Sequence, residues 1–343
     1  MVVPVLEHFP PGLRRAAGDP REIGGALLIA LLQISVIAFV LRPLESLAEA
    51  ERWEHRKLAA LDRTYTLLML LGLFPLFSFL VLSPFVHLFA DNTAAAATAA
   101  GDAPEGLRRL VPWFEGHPFV LFAVYYVVYD FVYYWMHRAQ HAIPWWWALH
   151  SMHHSQRQMG CWCNDRGNYL DGMLQSVILA AVGVAMGVDA SQFALLVMVT
   201  ELVQSLSHTN VRWGFGRLGE RLLVDPRFHR LHHMLRDPAR PALHNCNFGQ
   251  VLPWWDMLFR TALYGEPLRA TGVSDPVVDA DNGRGLVTQQ WFTLKRFWAT
   301  VRRPAGWRLG DVAFHPDNFA PIHDADQPAD HTEALRAGQA ANS

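Results

Sequence analysis

The alternation of apolar and polar stretches predicts a series of membrane-length helices separated by polar connections. A helix needs about 20 mainly apolar residues to cross the hydrocarbon core of a bilayer. Ile23 to Leu41 contains no Asp, Glu, Lys or Arg, and neither does Tyr65 to Ala90. A third run extends from Pro118 through Met136 and is interrupted by one acid, Asp130. Gly172 to Val188 and Ala190 to Ser207 follow, broken at Asp189 and carrying Glu201, and read together as a helical hairpin. The predicted fold is an all-α integral membrane protein. It has four transmembrane helices, or three plus a re-entrant helical hairpin, and a cytoplasmic helical cap.

Loop charge orients this arrangement, because positive residues near helix ends favour the cytoplasm. Arg42, Arg52, Arg56, Lys57 and Arg63 follow the first run, whereas only Arg108 and Arg109 follow the second, so the first loop is expected inside. The third helix then returns inward, and a hairpin brings the chain back to the side it left. Segments 137–171 and 208–343 are therefore both expected at the cytoplasmic face, in a bacterial inner membrane. Val287 to Arg303 interleaves Trp291, Leu294, Phe297, Trp298 and Val301 with Lys295, Arg296, Arg302 and Arg303. That pattern suits a helix lying in the membrane interface or one packed on the cap. From Pro316 onward large apolar residues are scarce, which predicts a disordered tail. Four segments result: an N-terminal stretch 1–22, a membrane domain 23–265, an extension 266–315 and the tail 316–343.

Composition sharpens the picture. Charged residues make up 17% of the 343, against about 25% in ordinary soluble domains. The net charge of −2 and the absence of a basic block exclude nucleic acid as a partner. Cys161, Cys163 and Cys246 lack CxxC spacing and read as reduced thiols. The segment before the first apolar run carries Glu7, Pro10, Pro11, Asp19 and Glu22, so that run reads as a retained anchor rather than a cleaved leader.

Seventeen histidines are present, and their spacing carries the chemistry. His137 and His141 form HxxxH at the end of the third apolar run, an i, i+4 pair on one helical face. His150, His153 and His154 form HxxHH, and the same box recurs as His229, His232 and His233. At this histidine frequency two HxxHH boxes arise by chance in about one chain in a thousand of this length. Eight imidazoles exceed the four that fill a tetrahedral zinc site, so two metals are implied. Imidazole alone does not choose among iron, zinc, copper and nickel. No HExxH and no Glu-x-x-His pairing occurs, which argues against a zinc peptidase and against a carboxylate-bridged di-iron bundle. His208, where the hairpin ends, is a ninth candidate ligand; contributions from His244 and Tyr169 stay open. His8, His55, His87, His117, His315, His323 and His331 have no partners in sequence.

Two acids are candidate supports. Asp130 lies two turns before His137 and is placed to accept that ring's far N–H. Asp225 stands four residues before His229, either in the same role or as a helix-start residue before Pro226. Tyr125, Tyr126, Tyr129, Tyr133, Tyr134 and Trp135 form an aromatic belt, the usual mark of an interfacial anchor.

The stretches Asp130-Phe-Val-Tyr-Tyr-Trp-Met-His-Arg-Ala-Gln-His141 and Trp147-Ala-Leu-His-Ser-Met-His-His-Ser155 resemble the fatty acid hydroxylase/sterol desaturase superfamily. So do Pro226-Arg-Phe-His-Arg-Leu-His-His233, Asn247-Phe-Gly249 and Trp255-Asp-Met-Leu-Phe-Arg-Thr261. Three departures stand out. The histidine common beyond the second box is missing from Arg166-Gly167-Asn168, Arg212 follows His208 where some relatives have another histidine, and Arg260 replaces a usual Gly. The resemblance implies two iron ions held by the histidines, O2 as co-substrate, and hydroxylation or desaturation of a lipid C–H bond. No CxxCH, iron–sulfur cysteine array or nucleotide-binding GxGxxG is present. Electrons are therefore expected from a separate ferredoxin, rubredoxin or cytochrome-type donor. A membrane zinc hydrolase and a metal carrier are the alternatives.

Overall fold

The computed structural model describes residues 20–54, 56–72, 106–188, 190–236, 243 and 245–302. Secondary structure among them is helical, with two isolated bridges, Glu49 to Val211 and Met234 to Thr271. Helix α1 (Pro20–Val36) passes through a π-helical turn, Ile37–Leu41, into α2 (Arg42–Leu47). Helix α3 spans Arg56–Leu70. Next come α4 (Pro118–Ala142), α5 (Pro144–His154), α6 (Tyr169–Met186) and α7 (Ala190–Ser207). The short α8 (Pro226–His232) and the long α9 (Leu286–Arg302) complete the main elements.

Among the described residues, three helices are long and apolar enough to cross a membrane: Leu27–Leu47, Pro118–Ala142 and Tyr169–Met186. They support an integral membrane protein. The apolar part of α7, Leu195–Ser207, is shorter. Most of the expected second run, from residue 73 on, lies outside the described residues, as do the expected tail and His8, His55, His87 and His244.

Local chemistry explains the breaks. Pro144 has no N–H to continue α4, and Ile143 adopts an extended conformation, so the chain turns between the first two boxes with one linking residue. Asn168 caps α6 by accepting from Leu170 N. At the other end Gly187 takes the left-handed φ of 68° that closes the helix onto the Gly183 carbonyl, a geometry costly for residues with a Cβ. The core joins α4, α5, α6 and α7 through Tyr125, Tyr129, Met136, Trp146, Leu179 and Leu196.

The polar ends of these helices meet at one end of the bundle. The start of α6 and the end of α7 both reach the histidines, so the two ends of the hairpin lie at the histidine end of the bundle. Glu45, fully buried on α2, accepts from the backbone N–H groups of Cys161 and Asn210, tying the loops after α5 and α7 to the first span. Arg166, 1% exposed, pairs with Asp62 and donates to Asn282 and Ser155, which fixes the loop between α5 and α6. Helix α9 packs along α5 with a polar inner face of Gln289, Thr293 and Arg296, while Trp291 and Trp298 stay more than half exposed. The amphipathic segment thus packs on α5 and presents its two tryptophans outward, while Phe297 turns in against Trp145.

Candidate metal centre

Eight histidines converge in two groups of four. His137, His141, His154 and His232 form one; His153, His208, His229 and His233 form the other. Within each group the candidate ligand atoms all lie within 4.8 Å of one another. The groups adjoin, with the rings of His154 and His233 stacked at 4.2 Å between centroids. The boxes do not map one to a metal. Consecutive helical residues point about 100° apart, so each HH pair is split: His154 and His232 face the first group, His153 and His233 the second.

Backbone carbonyls fix the tautomers. His137 Nδ1 lies 2.8 Å from Phe248 O and His232 Nδ1 2.7 Å from Cys246 O. In the second group His153 Nδ1 is 3.0 Å from Arg166 O and His208 Nδ1 2.7 Å from Gln204 O. A carbonyl only accepts, so each of these Nδ1 atoms carries the proton and each Nε2 presents a lone pair. Those lone pairs face each other: His137 and His232 Nε2 are 3.0 Å apart, and His153 and His208 Nε2 3.2 Å apart. His229 Nε2 approaches His208 Nε2 to 3.0 Å and His233 Nε2 to 3.2 Å. Opposed lone pairs at that distance repel unless a cation lies between them, and the donor set therefore fits a metal at each group.

Electrostatics agree. Burial, followed by the mutual repulsion of neighbouring imidazoles, pushes His153, His154, His229 and His233 well below the ordinary histidine range. His232 shifts down as well, chiefly through burial, and burial holds His208 at about 4. These six rings are consequently neutral at physiological pH, the form that ligates metal.

Three sequence expectations are placed differently. His150 belongs to neither group of four; its Nδ1 donates to Asp171 Oδ2 at 2.9 Å, and its ring lies 5.1 Å from those of His137, His141 and His154. Asp130 does not accept from His137. Its carboxylate takes the N–H groups of Val251, Leu252 and Trp255 Nε1, because the loop carrying Phe248 lies between it and the ring. Asp225 takes the second of its two readings, the helix start: its carboxylate accepts from Phe228 N and Phe215 N and not from the His229 ring.

Two other acids support the centre. Asp171 gathers the side-chain donors of Gln140, Trp146 and His150, each at 2.8–2.9 Å. Its signal in the sequence is a lone acid in the first turn of an otherwise apolar helix. Asp256 accepts from Phe248 N, Gly249 N and Thr261 Oγ1 and so shapes the turn whose Phe248 carbonyl anchors His137. A Cβ at Gly249 would lie 2.7 Å from Leu252 O, which requires glycine there. Among the described residues His117 lies away from both groups, with its Nδ1 at the Trp113 carbonyl.

Apolar helices that gather clustered imidazoles at one end define a class of membrane proteins with paired candidate metal sites. The fatty acid hydroxylase family model matches residues 122–261, the segment that holds all nine of these histidines. This match, with the relatives that follow, supports the fatty acid hydroxylase/sterol desaturase superfamily. The chain is 25% identical over 215 residues to an alkylglycerol monooxygenase of Xenopus tropicalis, covering 60% of this chain and 47% of that protein. The human protein of the same name is 27% identical over 211 residues, 62% of this chain and 44% of that one. The Caenorhabditis elegans protein is 30% identical over 139 residues, 38% and 25% respectively. The chain thus spans about half the length, or less, of the curated relatives it matches. No solved structure matches it.

Proposed function

We propose that the chain is a membrane monooxygenase that hydroxylates a lipid C–H bond, using O2 and electrons from a separate carrier protein. The observation that carries this reading is the pair of adjoining imidazole quartets, with tautomers set by carbonyls and Nε2 lone pairs converging. Two iron ions would be held by His137, His141, His154 and His232 and by His153, His208, His229 and His233. When bound, they would supply the binding and reductive activation of O2. The chain's own residues do the rest. Phe248, Cys246, Arg166 and Gln204 carbonyls orient the rings. Asp171 holds His150 beside the first quartet. The buried cap excludes bulk water, so a strong oxidant is spent on substrate rather than solvent.

The relatives' name, alkylglycerol monooxygenase, favours an ether lipid as substrate and hydroxylation over desaturation. The active face is assigned to the cytoplasm by the loop charges, where a ferredoxin, rubredoxin or cytochrome-type donor would dock. Lipid mass spectrometry of cells with and without the gene under 18O2 tests the proposal. One lipid class acquiring a single 18O atom is expected. Loss of two hydrogens without label would make the chain a desaturase, and an unchanged lipidome would sink the reading.

A further inference from the structure

Two segments on either side of α8, 212–223 and 254–260, form one strip of surface near the histidine end of the bundle. Hydrogen bonds tie them together: Phe215 N donates to Asp225 Oδ2 at 2.7 Å, Val224 N to Val251 O at 2.8 Å, and Trp254 Nε1 to Arg221 O at 3.1 Å. Trp213, Phe215, Leu218, Leu222, Trp254 and Leu258 stand uncovered by the rest of the protein, Leu218 at 75% and Leu258 at 64% exposure. A single exposed leucine is ordinary, whereas large apolar side chains gathered in one strip mark an interaction surface. Arg212, Arg217, Arg221, Arg227 and Arg260 are exposed among them. Acids do not balance these charges. Within the two segments Asp256 is buried beneath its own donors, and Glu220 is paired with Arg221 at 3.4 Å.

Depth along α4 decides what covers this strip. Trp255 and Phe259, from the same short helix and its end, pack on α4, with the Trp255 ring 4.9 Å from Phe131 and the Phe259 ring 4.8 Å from Trp135. Trp255 Nε1 also donates to Asp130 at 2.9 Å. The apolar run of α4 ends at Met136, so Phe131 lies about 8 Å inside it at about 1.5 Å per residue. An interfacial helix sinks its apolar face by that amount, about 5–10 Å. The run from Pro118 to Met136 is itself about 28 Å long, close to the roughly 30 Å of hydrocarbon it crosses, so the contact at Phe131 falls within the bilayer. A water-soluble carrier protein has no access at that level, and the charge of the strip suits phosphate.

We propose that this strip is a membrane foot: Leu218, Leu222, Trp254 and Leu258 enter the acyl region of the leaflet at the histidine end, and the arginines hold the phosphates of its anionic phospholipids. Guanidinium groups pair with phosphate through two parallel N–H donors, which suits arginine at such a rim. His137 follows Met136 directly, so the foot seats both quartets at headgroup level, next to the lipid phase. The inference rests on α4 crossing the bilayer and not on the reaction the quartets carry out.

Spin labels on Leu258→Cys and, in a separate chain, Leu218→Cys test it in the metal-loaded full chain, in nanodiscs of equal parts phosphatidylglycerol and phosphatidylcholine. The native cysteines are buried and stay unlabelled. A wild-type elution profile and unfolding midpoint show that a variant is folded, and Leu222→Cys replaces either one that is not. At both labels, collision with O2, which concentrates among acyl chains, should exceed collision with a water-soluble nickel chelate. The ratio should place Leu258 about 5–10 Å below the phosphates. A fluorophore on the same cysteines should transfer energy preferentially to headgroup-labelled phosphatidylglycerol over phosphatidylcholine. That preference should fall about fivefold in Arg217→Gln and again in the double variant with Arg260→Gln, the effect of one arginine at an anionic surface. Labels that collide more with the nickel chelate lie in water, which overturns the proposal and leaves the strip to a soluble partner protein. Equal transfer to the two lipids, or a preference that both arginine variants keep, overturns it as well.

Discussion

Replacing Asp171 removes the largest side-chain anchor of the histidine cap. Its Oδ1 accepts from Gln140 Nε2 and Trp146 Nε1 at 2.8 Å each, and its Oδ2 from His150 Nδ1 at 2.9 Å. All four side chains are buried. Asp171→Asn keeps an oxygen for Gln140 and Trp146 but turns an amide N–H toward the His150 N–H. One charge-assisted bond is then lost and two donors oppose each other, at about 1.5–3 kcal/mol. Asp171→Ala strands all three donors, each worth about 1–3 kcal/mol, and even with water entering the cost should reach about 4 kcal/mol. Activity in both should fall about tenfold, since His150 rests beside the first quartet rather than in it and loses the carboxylate that fixes its ring there. Denaturant unfolding in micelles, followed by tryptophan fluorescence, measures the stability series. An alanine variant within about 0.5 kcal/mol of wild type would refute the reasoning, since surface positions vary by that much.

Arg260 is exposed and has a φ of 60°, the left-handed region where glycine carries no Cβ penalty; Arg260→Gly should stabilise by about 1 kcal/mol, seen as a raised unfolding midpoint. Burial raises Asp256 to about 6 from 3.8. A raised folded-state pKa gives stability that is complete below the unfolded value and lost as pH rises through the folded one. Wild-type stability relative to Asp256→Asn should therefore drop by about 3 kcal/mol between pH 4 and pH 7; a pH-independent difference would contradict the assignment.

The histidine boxes were legible because donor type and helical spacing are written directly in the residues. Pro144 and Asn168 likewise announce their helix boundaries. The anchoring of the rings was not legible. It runs through the carbonyls of Phe248, Cys246, Arg166 and Gln204, and a carbonyl has no residue signature. Helical phase put Asp130 on the stripe of His137, yet the loop at 245–256 enters from far along the chain and captures that carboxylate with three N–H donors. The splitting of each HH pair follows from helix geometry, but which ring meets which depends on how α8 packs against α7.

Two adjoining metal sites, each held by four imidazoles, carry the proposed chemistry. Metal analysis of the purified protein beside His232→Ala and His233→Ala tests it most directly, because these neighbours belong to different quartets. Wild type should carry a pair of iron ions per chain, and each variant should lose the ion of its own quartet while its spans stay inserted. A wild-type chain with a single metal, or one that binds zinc and turns over without O2, would contradict the account.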